Sequence, residues 1–589
     1  MEQIIINGGN HRYLSELNEF KDGIPFGIVN KTKTDVGGTY VAANCSSNYI
    51  IVCPFIDLVE SIANDTNNKY EVFKCYGGIR QSSFTKYLKD HTTYKVAVTY
   101  DSLAKLLRWM NNDTKGWKVL VDEYHLILED MDFRTDAINN LMESIKSFDY
   151  YSFLSATPMD INYEIDFFKD LPHYKVEWEG LTKIMPLRIK ANKLVKGLTR
   201  FIDIFLTEGV KIPNVDGELT NVDELFIFIN SVTSIKQILD TLKIDDDLVK
   251  VCCANRNRNR LLLDNYVIEP VSNPNKKLNF FTKKCFQGCN LFTNNGLIIV
   301  ASDGYREQTL VDVSTTMEQI AGRLRFNDTY QNVFRDKMIH MFSTNNNAIT
   351  DEEFEDIMNT KETEANMLIN MTKDYNAEEM QLFAERTNLE SDIVSIINGK
   401  LVYNKLKKQS FIYKQQLRNS YRDGISVRND FKKSEKFVTT NQEVWTDFNV
   451  KMAKAITISY EQLLKDYLDN PNDSYELEYP EFKEFRKYLK ETEMNSLRWN
   501  KENMLKAVED KKNLSKAFKE VHSEGFVSNA VLKDRFKLVF NRLGITLIPK
   551  ASLIEQCDCY SVTKTSKRIN GKKVKGYELG KINLVYKLK

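Results

Sequence analysis

The chain has 589 residues, of which 42% are hydrophobic and 28% charged, a composition that is ordinary for a protein with large buried cores. Lysine and arginine total 82 against 81 aspartates and glutamates, and this net charge of +1 excludes binding to nucleic acid through the overall field of the chain. Length alone favours about three to four domains.

The N-terminus, MEQIIINGGNHRY, has neither the basic start nor the apolar core of a secretion signal. No apolar run reaches the roughly 18 residues that would cross a bilayer. Nine cysteines are scattered without a Cys-x-x-Cys pair, which favours reduced thiols. Cys557 and Cys559 have no histidine close by in sequence, so buried thiols are favoured there over a zinc site.

Residues 20–160 alternate short apolar segments with amphipathic ones, a pattern that predicts a parallel, doubly wound sheet. Helical patterns such as DLVESIAN and DSLAKLLRWM follow most of the strands. The predicted strands are PFGIVN, YIIVCP, YEVFKCY, YKVAVTY, WKVLVDE and YYSFLSA.

The segment NKTKTDVGGTY, residues 30–40, follows the first of these strands and has the form of a phosphate-binding loop. The usual pattern ends in Gly-Lys-Ser/Thr; here Gly37 and Thr39 take the outer positions, and Gly38 replaces the lysine. The backbone N–H groups of residues 34–39 can still bind an anion. Lys31 and Lys33 are candidates for the displaced charge, and Lys31 is favoured because the strand anchors it.

The strand WKVLVDE leads into Asp122-Glu123-Tyr124-His125. Cleavage of a nucleoside triphosphate needs one carboxylate at a strand end to hold magnesium and a second to align the attacking water. Asp122 and Glu123 suit these two roles. The alternative is a strand that ends in exposed acids, and the tetrapeptide alone leaves both interpretations open.

Two later segments favour the catalytic interpretation. Ser155-Ala156-Thr157-Pro158 follows another apolar strand, and QIAGRLR, residues 319–325, begins a predicted helix. Arginine neutralises charge in the transition state of phosphoryl transfer, and a neighbouring glycine permits its close approach. The alternative for Arg323 and Arg325 is a solvated helix face, which the order of the motifs disfavours.

Three further regions follow residue 160. Residues 161–220 contain three prolines and are predicted to be a connector. The alternation restarts over 221–345 with ELFIFIN, the helix SVTSIKQILDTL and the strands KVCCA, LNFFTK, GLIIVASD and KMIHMFS. Residues 346–520 are predicted to be helical, including DEEFEDIMNTKETEANMLINM and EEMQLFAERTNLESDIVSIINGKL, with a break at Asn470-Pro471.

The last region, 521–589, is predicted to form helix, helix and basic β-ribbon, the layout of a small winged-helix-like module. Its sequence YSVTKTSKRINGKKVKGYEL resembles the C-terminal module of poxvirus-type primase-helicases. Clustered cations with Tyr560 and Tyr577 favour phosphate contact and base stacking, although a solvated hairpin is the alternative. The cations are Lys564, Lys567, Arg568, Lys572, Lys573 and Lys575.

Taken together, DEYH, SATP and QIAGRLR resemble motifs II, III and VI of superfamily 2 helicases of the DExH type. YIIVCPFIDLVESI resembles motif Ia, FIFINSV motif IV and FFTKKCFQGCNL motif V, so the resemblance covers residues 20–345. It implies two tandem RecA-like domains, 1–160 and 221–345, with ATP and Mg²⁺ in the cleft between them. The loop with its lysine upstream resembles the deviant loops of viral packaging ATPases.

The resemblance also implies a role for each matching residue. Two positions depart from the family pattern: Phe326 stands where motif VI usually has its last arginine, and Asn290 where motif V often has an acid. The implied magnesium ligands are Asp122 and Thr39. The implied ATP-binding residues are Lys31, Lys33, Thr34, Gly37, Gly38, Thr39, Gly288 and Gly322. The implied catalytic residues are Asp122, Glu123, Gln319, Arg323 and Arg325. The resemblance further implies that Ser155, Thr157 and His125 couple the ATP site to the nucleic acid, and that Thr99 and Ser102, in VTYDSL, contact nucleic acid.

These features lead us to expect an ATP-dependent helicase or translocase, with DNA favoured over RNA. The asparagine- and lysine-rich composition and the unusual loop suggest a phage, virus or mobile element, active in replication or transcription. We expect a cytoplasmic location, in the host if viral, without membrane contact, and replication or virion partners for residues 346–520. The alternatives are a duplex translocase that does not separate strands and a weakly catalytic nucleic-acid-binding or packaged protein that keeps the fold.

Overall fold

The computed structural model describes residues 3–345, 349–387, 389, 393–440, 444–446 and 450–583. The chain divides into two compact units. One contains residues 1–254 and 263–456, and the other contains residues 255–262 together with the chain from residue 457 onward.

The first α/β region of the larger unit contains eight strands. They are β1 (Ile4–Gly9), β2 (Gly27–Asn30), β3 (Asn48–Cys53), β4 (Val72–Cys75), β5 (Lys95–Thr99), β6 (Trp117–Asp122), β7 (Tyr150–Ser155) and β8 (His173–Trp178). Its helices are α1 (Gly38–Asn44), α2 (Ile56–Ala63), α3 (Gln81–Asp90), α4 (Leu103–Trp109), α5 (Leu126–Glu129), α6 (Thr135–Ile145) and α7 (Asp166–Lys169).

These strands form one parallel sheet in the order β1-β8-β2-β7-β6-β3-β5-β4. Residues 119–121 of β6 are fully buried because separate hydrophobic cores cover the two faces of the sheet. Since β2, β7 and β6 are neighbours and run the same way, their carboxyl ends lie at one edge, where α/β sheets bind ligands.

The second α/β region follows the same plan. Its strands are β9 (Met185–Ala191), β10 (Lys211–Pro213), β11 (Leu219–Asn221), β12 (Glu224–Phe228), β13 (Val249–Cys252), β14 (Leu278–Phe281), β15 (Leu291–Phe292), β16 (Gly296–Asp303), β17 (Leu324–Arg325) and β18 (Lys337–Ser343). Its helices are α8 (Leu194–Thr207), α9 (Val232–Leu242) and α11 (Thr316–Ala321); α10 (Asn257–Leu263), which lies between α9 and α11 in sequence, belongs to the smaller unit except for its last residue.

The remaining elements of the larger unit follow residue 345. They are α12 (Asp351–Met371), α13 (Ala377–Arg386), β19 (Val394–Ile397), β20 (Lys400–Tyr403), α14 (Lys405–Ser420), α15 (Gly424–Lys433) and β21 (Val444–Thr446). The second sheet is parallel, in the order β13-β14-β12-β16-β18-β9-β21. The prediction of two tandem, doubly wound parallel sheets of the RecA type is therefore confirmed.

Two predicted boundaries differ from the structure. The interval 161–220, predicted to be a connector, supplies β8 to the first sheet and β9 to the second, and each of these strands pairs with a neighbour on both sides. The stretch 378–401, predicted to be helical, ends its helix at Arg386 and forms the β19–β20 hairpin. Asn398 and Gly399, both at positive φ, make the tight turn that Asn-Gly favours.

The segment 405–437 packs into both α/β regions. Leu406 and Tyr413 of α14 belong to the core on one face of the first sheet. Tyr421 and Phe431, together with Phe437, belong to a core of the second sheet. A single stretch of chain therefore connects the two hydrophobic cores, in addition to the covalent link between β8 and β9.

The smaller unit contains helices and a three-stranded sheet. Its elements after residue 456 are α16 (Tyr460–Asp469), α17 (Asp473–Glu478), α18 (Glu481–Tyr488), α19 (Glu491–Ser496), α20 (Lys501–Val521), β22 (Gly525–Ser528), α21 (Asn529–Leu543), β23 (Val562–Ile569) and β24 (Lys572–Leu579). The predicted break at Asn470-Pro471 is confirmed, because α16 ends at Asp469.

The winged-helix-like module begins earlier than residue 521. The carboxyl half of α20 shares one core with α21 and the sheet, so α20 is its first helix. The sheet order is β22-β24-β23. Instead of the predicted helix-helix layout, strand β22 precedes α21, and a short 3₁₀ helix, Ala551–Gln556, stands where a second helix was expected.

Three further observations concern the cysteines, membrane-spanning helices and metal ligands. All nine cysteines are free, and eight of them are buried. Within the described residues, no helix has the length and apolar character to cross a membrane. In the same part of the chain, no group of three histidine, cysteine or acidic side chains could hold a metal ion on its own.

Tyr421 gives a test of how firmly the segment 405–437 is anchored. Its buried hydroxyl donates to Val311 O at 2.7 Å and lies 3.1 Å from Ser302 Oγ. We expect Tyr421→Phe to lower the free energy of unfolding by about 1–3 kcal/mol, because buried partners lose a hydrogen bond. Urea denaturation measures this, with the 65% exposed Tyr305→Phe as control. Equal stability of the two variants would contradict the anchoring role.

Candidate functional site

The loop between β2 and α1 is held to the first sheet at its beginning. Lys31 N donates to Ser155 O at 2.9 Å, and Lys31 O accepts from Trp178 Nε1 at 2.9 Å. Thr32 Oγ1 donates to Val176 O at 2.6 Å. Three loop residues have positive φ, namely Thr32, Asp35 and Gly37. The loop therefore leaves β2 by a turn that fixes the position of Lys31.

The Lys31 side chain is buried and points at the carboxylates that end β6. Its Nζ lies 3.5 Å from Glu123 Oε1 and 3.7 Å from Asp122 Oδ1. Burial acts to lower the pKa of Lys31, but Glu123 and Asp122 outweigh burial and hold this pKa above its ordinary value. Lys31 is therefore a protonated ammonium at the acidic end of β6.

Lys33, the other candidate, lies elsewhere. Its Nζ is 5.7 Å from the ring centre of Trp178, and the residue is only partly buried. Partial burial and the nearby Arg12 lower its pKa. No ion pair joins Lys33 to Asp122 or Glu123, so the geometry favours Lys31 for the displaced charge.

Asp122 is buried and Glu123 is largely buried at the carboxyl end of β6, so they are not exposed acids at a strand end. Burial raises the pKa of Asp122 to about 6 although Lys31 opposes this shift. Burial also acts to raise the pKa of Glu123, but Lys31, His125 and Arg323 outweigh it and hold this pKa below its ordinary value. Glu123 has a φ of 50°, a left-handed conformation that is uncommon for a residue with a side chain.

Asp122 Oδ1 has the character of a metal-facing atom. It is buried and has no hydrogen-bond partner among the described residues. Mg²⁺ is usually held by one or two carboxylates together with substrate phosphates and water, so the lack of an all-protein cage agrees with this ion. Thr39 lies half-buried in the first turn of α1. A buried carboxylate oxygen without a hydrogen-bond partner fits Mg²⁺ that is bound together with phosphate oxygens and water.

Side chains from the second α/β region meet these carboxylates. Gln319 of α11 donates through Nε2 to Glu123 Oε2 at 3.1 Å and to Thr157 Oγ1 at 3.0 Å. Arg323 is buried and donates to Gln319 Oε1 at 3.1 Å and to Cys289 O at 3.3 Å. Gln319 therefore contacts Glu123 directly, Arg323 reaches it through Gln319, and Thr157 lies beside them.

Arg325 and Gly322 contact the loop between β2 and α1. Arg325 Nη1 donates to Thr34 Oγ1 at 3.1 Å, and its Nε donates to Asn290 Oδ1 at 3.2 Å. A Cβ atom at Gly322 would lie 2.5 Å from Thr34 Oγ1, so a side chain here would separate the two segments. Phe326, in the place of the usual last arginine, is 58% exposed.

His125, Ser155 and Thr157 form a second group beside Glu123. His125 Nδ1 lies 2.8 Å from Ser155 Oγ, which is 3.3 Å from Glu123 Oε2. Thr157 N donates to Ser155 Oγ at 3.0 Å. These residues connect the end of β7 with the acidic end of β6.

Several predicted site residues lie away from the carboxylates. Gly288 has φ 73°, and a Cβ there would lie 2.8 Å from Leu58 of α2. Thr99, which ends β5, is 5% exposed, and Ser102, which ends the 3₁₀ helix Tyr100–Ser102, is 7% exposed. Gly38 does not adopt a left-handed conformation; a Cβ at this position would lie 2.3 Å from Leu154 Cδ2, so Gly38→Lys cannot simply restore the usual loop.

The basic ribbon, β23 and β24, belongs to the smaller unit. All six predicted cations are exposed, and Asn570-Gly571 make its turn. The prediction that Tyr560 and Tyr577 stack on bases is wrong, because both rings are buried against α20 and α21. Lys564 and Lys567 pair with Glu555 and Glu578.

Four residues at or beside the site were not predicted from the sequence. Tyr100 donates to Asp122 O at 2.7 Å and lies 3.2 Å from Glu123 O, so it supports the backbone of both carboxylates. Gln287 lies 3.0 Å from His125 Nε2. Tyr13 packs beside Gly37, and Arg12 lies over its ring. Tyr100 lies within VTYDSL and Gln287 within FFTKKCFQGCNL, but nothing in these segments predicts the contacts that the two side chains make.

Comparisons with known proteins give structural likenesses only. No protein-family model matches the chain, and no curated protein matches it. Saccharomyces cerevisiae Dbp5 bound to RNA and ADP BeF3 is 12% identical, covering 54% of this chain and 79% of its own, with a TM-score of 0.34. The Escherichia coli DExH-box NTPase HrpB is 12% identical, covering 91% of this chain and 58% of its own, with a TM-score of 0.34.

A third similar structure is the Mycobacterium smegmatis helicase Lhr bound to ssDNA and AMP-PNP. It is 12% identical, covers 54% of this chain and 43% of its own, and has a TM-score of 0.35. Because these identities and TM-scores are low, the functional conclusions for this chain depend on its own residues and contacts.

The two loop lysines can be separated by substitution. We expect Lys31→Ala to reduce ATP affinity or turnover at least tenfold, about 1.4 kcal/mol or more, because a charge-assisted contact is lost. Lys33→Ala should have a small effect, since Lys33 lies against Trp178. Steady-state ATP hydrolysis and calorimetric ATP titration measure both. If both variants behave like the parent, neither lysine replaces the missing one.

Proposed function

We propose that the chain is an ATP-dependent nucleic-acid motor, a helicase or translocase. The observation that carries this proposal is the group around Glu123, where Lys31 from the loop and Gln319 from the second α/β region contact the same carboxylate. A site built from two such regions changes when they move apart, so nucleotide chemistry can be coupled to domain motion.

ATP binding begins with an exchange of partners for Lys31. The ammonium is protonated and buried, and the triphosphate offers it oxygens in place of Glu123. Asp122 and Thr39 would hold Mg²⁺, which neutralises charge on the β- and γ-phosphates. Arg325 belongs to the second α/β region and donates to Thr34 of the phosphate-binding loop, so it would approach the phosphates from the side opposite Lys31.

Hydrolysis depends on the position of Glu123. In the proposed step Glu123 accepts a proton from water as the water oxygen bonds to the γ-phosphorus. The bond from that phosphorus to the bridging oxygen breaks, and ADP leaves with the electron pair. Arg323 stabilises the charge that develops on the phosphoryl oxygens, and Gln319 fixes the direction of Glu123.

Nucleic acid is the proposed track, with DNA favoured over RNA. The exposed cations of β23 and β24 suit contact with phosphates, which is independent of sequence. The unusual loop and the asparagine- and lysine-rich composition support a setting in the replication or transcription of a virus or mobile element, with action in the cytoplasm.

One measurement tests the proposal as a whole. Phosphate release from ATP is followed with the full chain alone and with single-stranded DNA, duplex DNA or RNA. Stimulation by one of these is expected, and strand displacement against triplex displacement then separates unwinding from duplex translocation. No ATP hydrolysis under any condition, with nucleic acid still bound, would support the alternative of a binding protein that keeps the fold.

Glu123→Gln should separate ATP binding from ATP hydrolysis. The amide keeps the shape of the side chain and its contact with Gln319, but it cannot accept a proton from water. We expect ATP to bind while turnover is abolished, as measured by calorimetry and phosphate release. Unchanged turnover per bound ATP would contradict the assignment of Glu123 as the base.

The role of the basic ribbon needs substitutions that leave its core intact, since Tyr577 and Leu579 are buried. We expect a Lys572→Gln, Lys573→Gln and Lys575→Gln triple variant to bind single-stranded DNA more weakly. The slope of log K against log salt should fall by about 0.7 per lost contact. The control replaces the exposed Lys487, Lys506 and Lys516 by Gln. Equal slopes for the two triple variants would mean that the ribbon is a solvent-exposed hairpin whose lysines do not contact phosphates.

A further inference from the structure

Gln287 is a buried polar residue of the second α/β region that reaches into the first. It follows the 3₁₀ helix Lys283–Cys285 and is 5% exposed. Its Nε2 lies 3.0 Å from Nε2 of His125, which is 2% exposed. None of the roles described above uses this contact.

The contact is the first link of a chain that ends at Glu123. His125 Nδ1 lies 2.8 Å from Ser155 Oγ, and Ser155 Oγ lies 3.3 Å from Glu123 Oε2. Ser155 Oγ also accepts from Thr157 N at 3.0 Å. The order of the chain is therefore Gln287, His125, Ser155 and Glu123.

The amide of Gln287 has a preferred orientation. With Nε2 toward His125, only its Oε1 lacks a hydrogen-bond partner among the described residues. The reverse orientation would place the NH₂ group, with two donors, where Oε1 now lies unpaired. Buried donors without partners are rarer than under-satisfied carbonyl oxygens, so the orientation with Gln287 as donor is favoured.

This orientation fixes the tautomer of His125. Since Gln287 donates to Nε2, that nitrogen is the acceptor and Nδ1 carries the proton. Nδ1–H then donates to Ser155 Oγ, and the hydroxyl proton of Ser155 is free to donate to Glu123. In the other tautomer the Ser155 hydroxyl would donate to Nδ1, and Glu123 Oε2 would lose this donor.

We infer that Gln287 is a positioning residue, which acts through His125 and Ser155 to orient Glu123 toward the attacking water. This inference rests on the proposed function, in which Glu123 is the base. Because Gln287 and Glu123 belong to different α/β regions, the chain exists only when those regions are close. It therefore makes the orientation of the base depend on closure of the cleft, in addition to the direct contact of Gln319.

A spectroscopic test reads the tautomer directly. The full chain is labelled with ¹⁵N-histidine, which marks six residues, and His125→Gln assigns the signal of His125. We expect the proton on Nδ1 in the parent and its loss from Nδ1, wholly or in part, in Gln287→Met. A proton on Nε2 in the parent, or an unchanged Nδ1–H in Gln287→Met, would overturn the inference.

A kinetic test asks whether Gln287 acts through Ser155. We expect Gln287→Met to lower kcat about tenfold or more, the effect of a lost hydrogen bond to a charged group, with the KM for ATP changed less than about twofold. In a Ser155→Ala background, Gln287→Met should cause no further loss, since the chain is already broken. The matched control is the exposed Gln308→Met.

The outcomes separate the inference from the proposed function. If the parent does not hydrolyse ATP, the proposed function fails and the inference falls with it. If the parent hydrolyses ATP but Gln287→Met matches Gln308→Met, only the inference fails. Multiplicative losses in the Gln287→Met, Ser155→Ala double variant would also overturn it, because they would show that the two residues act independently.

Discussion

The site depends on the burial of one ammonium between two carboxylates. Lys31, Asp122 and Glu123 are each nearly inaccessible to water, and removal of a single partner would leave an uncompensated charge in the interior. The cation comes from the loop that precedes α1, and both anions come from the end of β6. The burial of each segment therefore stabilises the burial of the other, because each supplies the charge that the other needs.

The second α/β region completes this site through several independent contacts. Gln319 donates to Glu123, and Lys283 pairs with Asp130 at 2.9 Å. The segment 405–437 adds apolar contacts to the cores on both sides. Exposed ion pairs contribute little by themselves, so the packing of α14 and the buried polar contacts account for most of this closure. The two α/β regions are thus joined by contacts that differ in kind, namely apolar packing, buried hydrogen bonds and an ion pair.

The sequence predicts the sheets and the acidic strand end well, because buried parallel strands are long apolar runs with polar residues after them. It does not decide between Lys31 and Lys33, since the contacts that separate them come from Val176 and Trp178, about 145 residues later in the chain. The sequence also does not show that Leu154 leaves no room for a side chain at Gly38, because these two residues are far apart in the chain. Local spacing also places Tyr577 among cations, and only the position of the neighbouring helices shows that its ring is buried.

Glu123, the residue on which the site converges, has a strained backbone conformation. A non-glycine residue with φ 50° costs about 1–2 kcal/mol relative to an ordinary conformation. Glycine would relieve that cost but would remove the carboxylate on which Lys31, Ser155 and Gln319 converge. Tyr100 supports the strained turn through the carbonyl oxygens of Asp122 and Glu123. The left-handed turn therefore places the Glu123 carboxylate where it contacts Lys31 of the first α/β region and Gln319 of the second. If β6 continued in an extended conformation, the chain would run past these two partners.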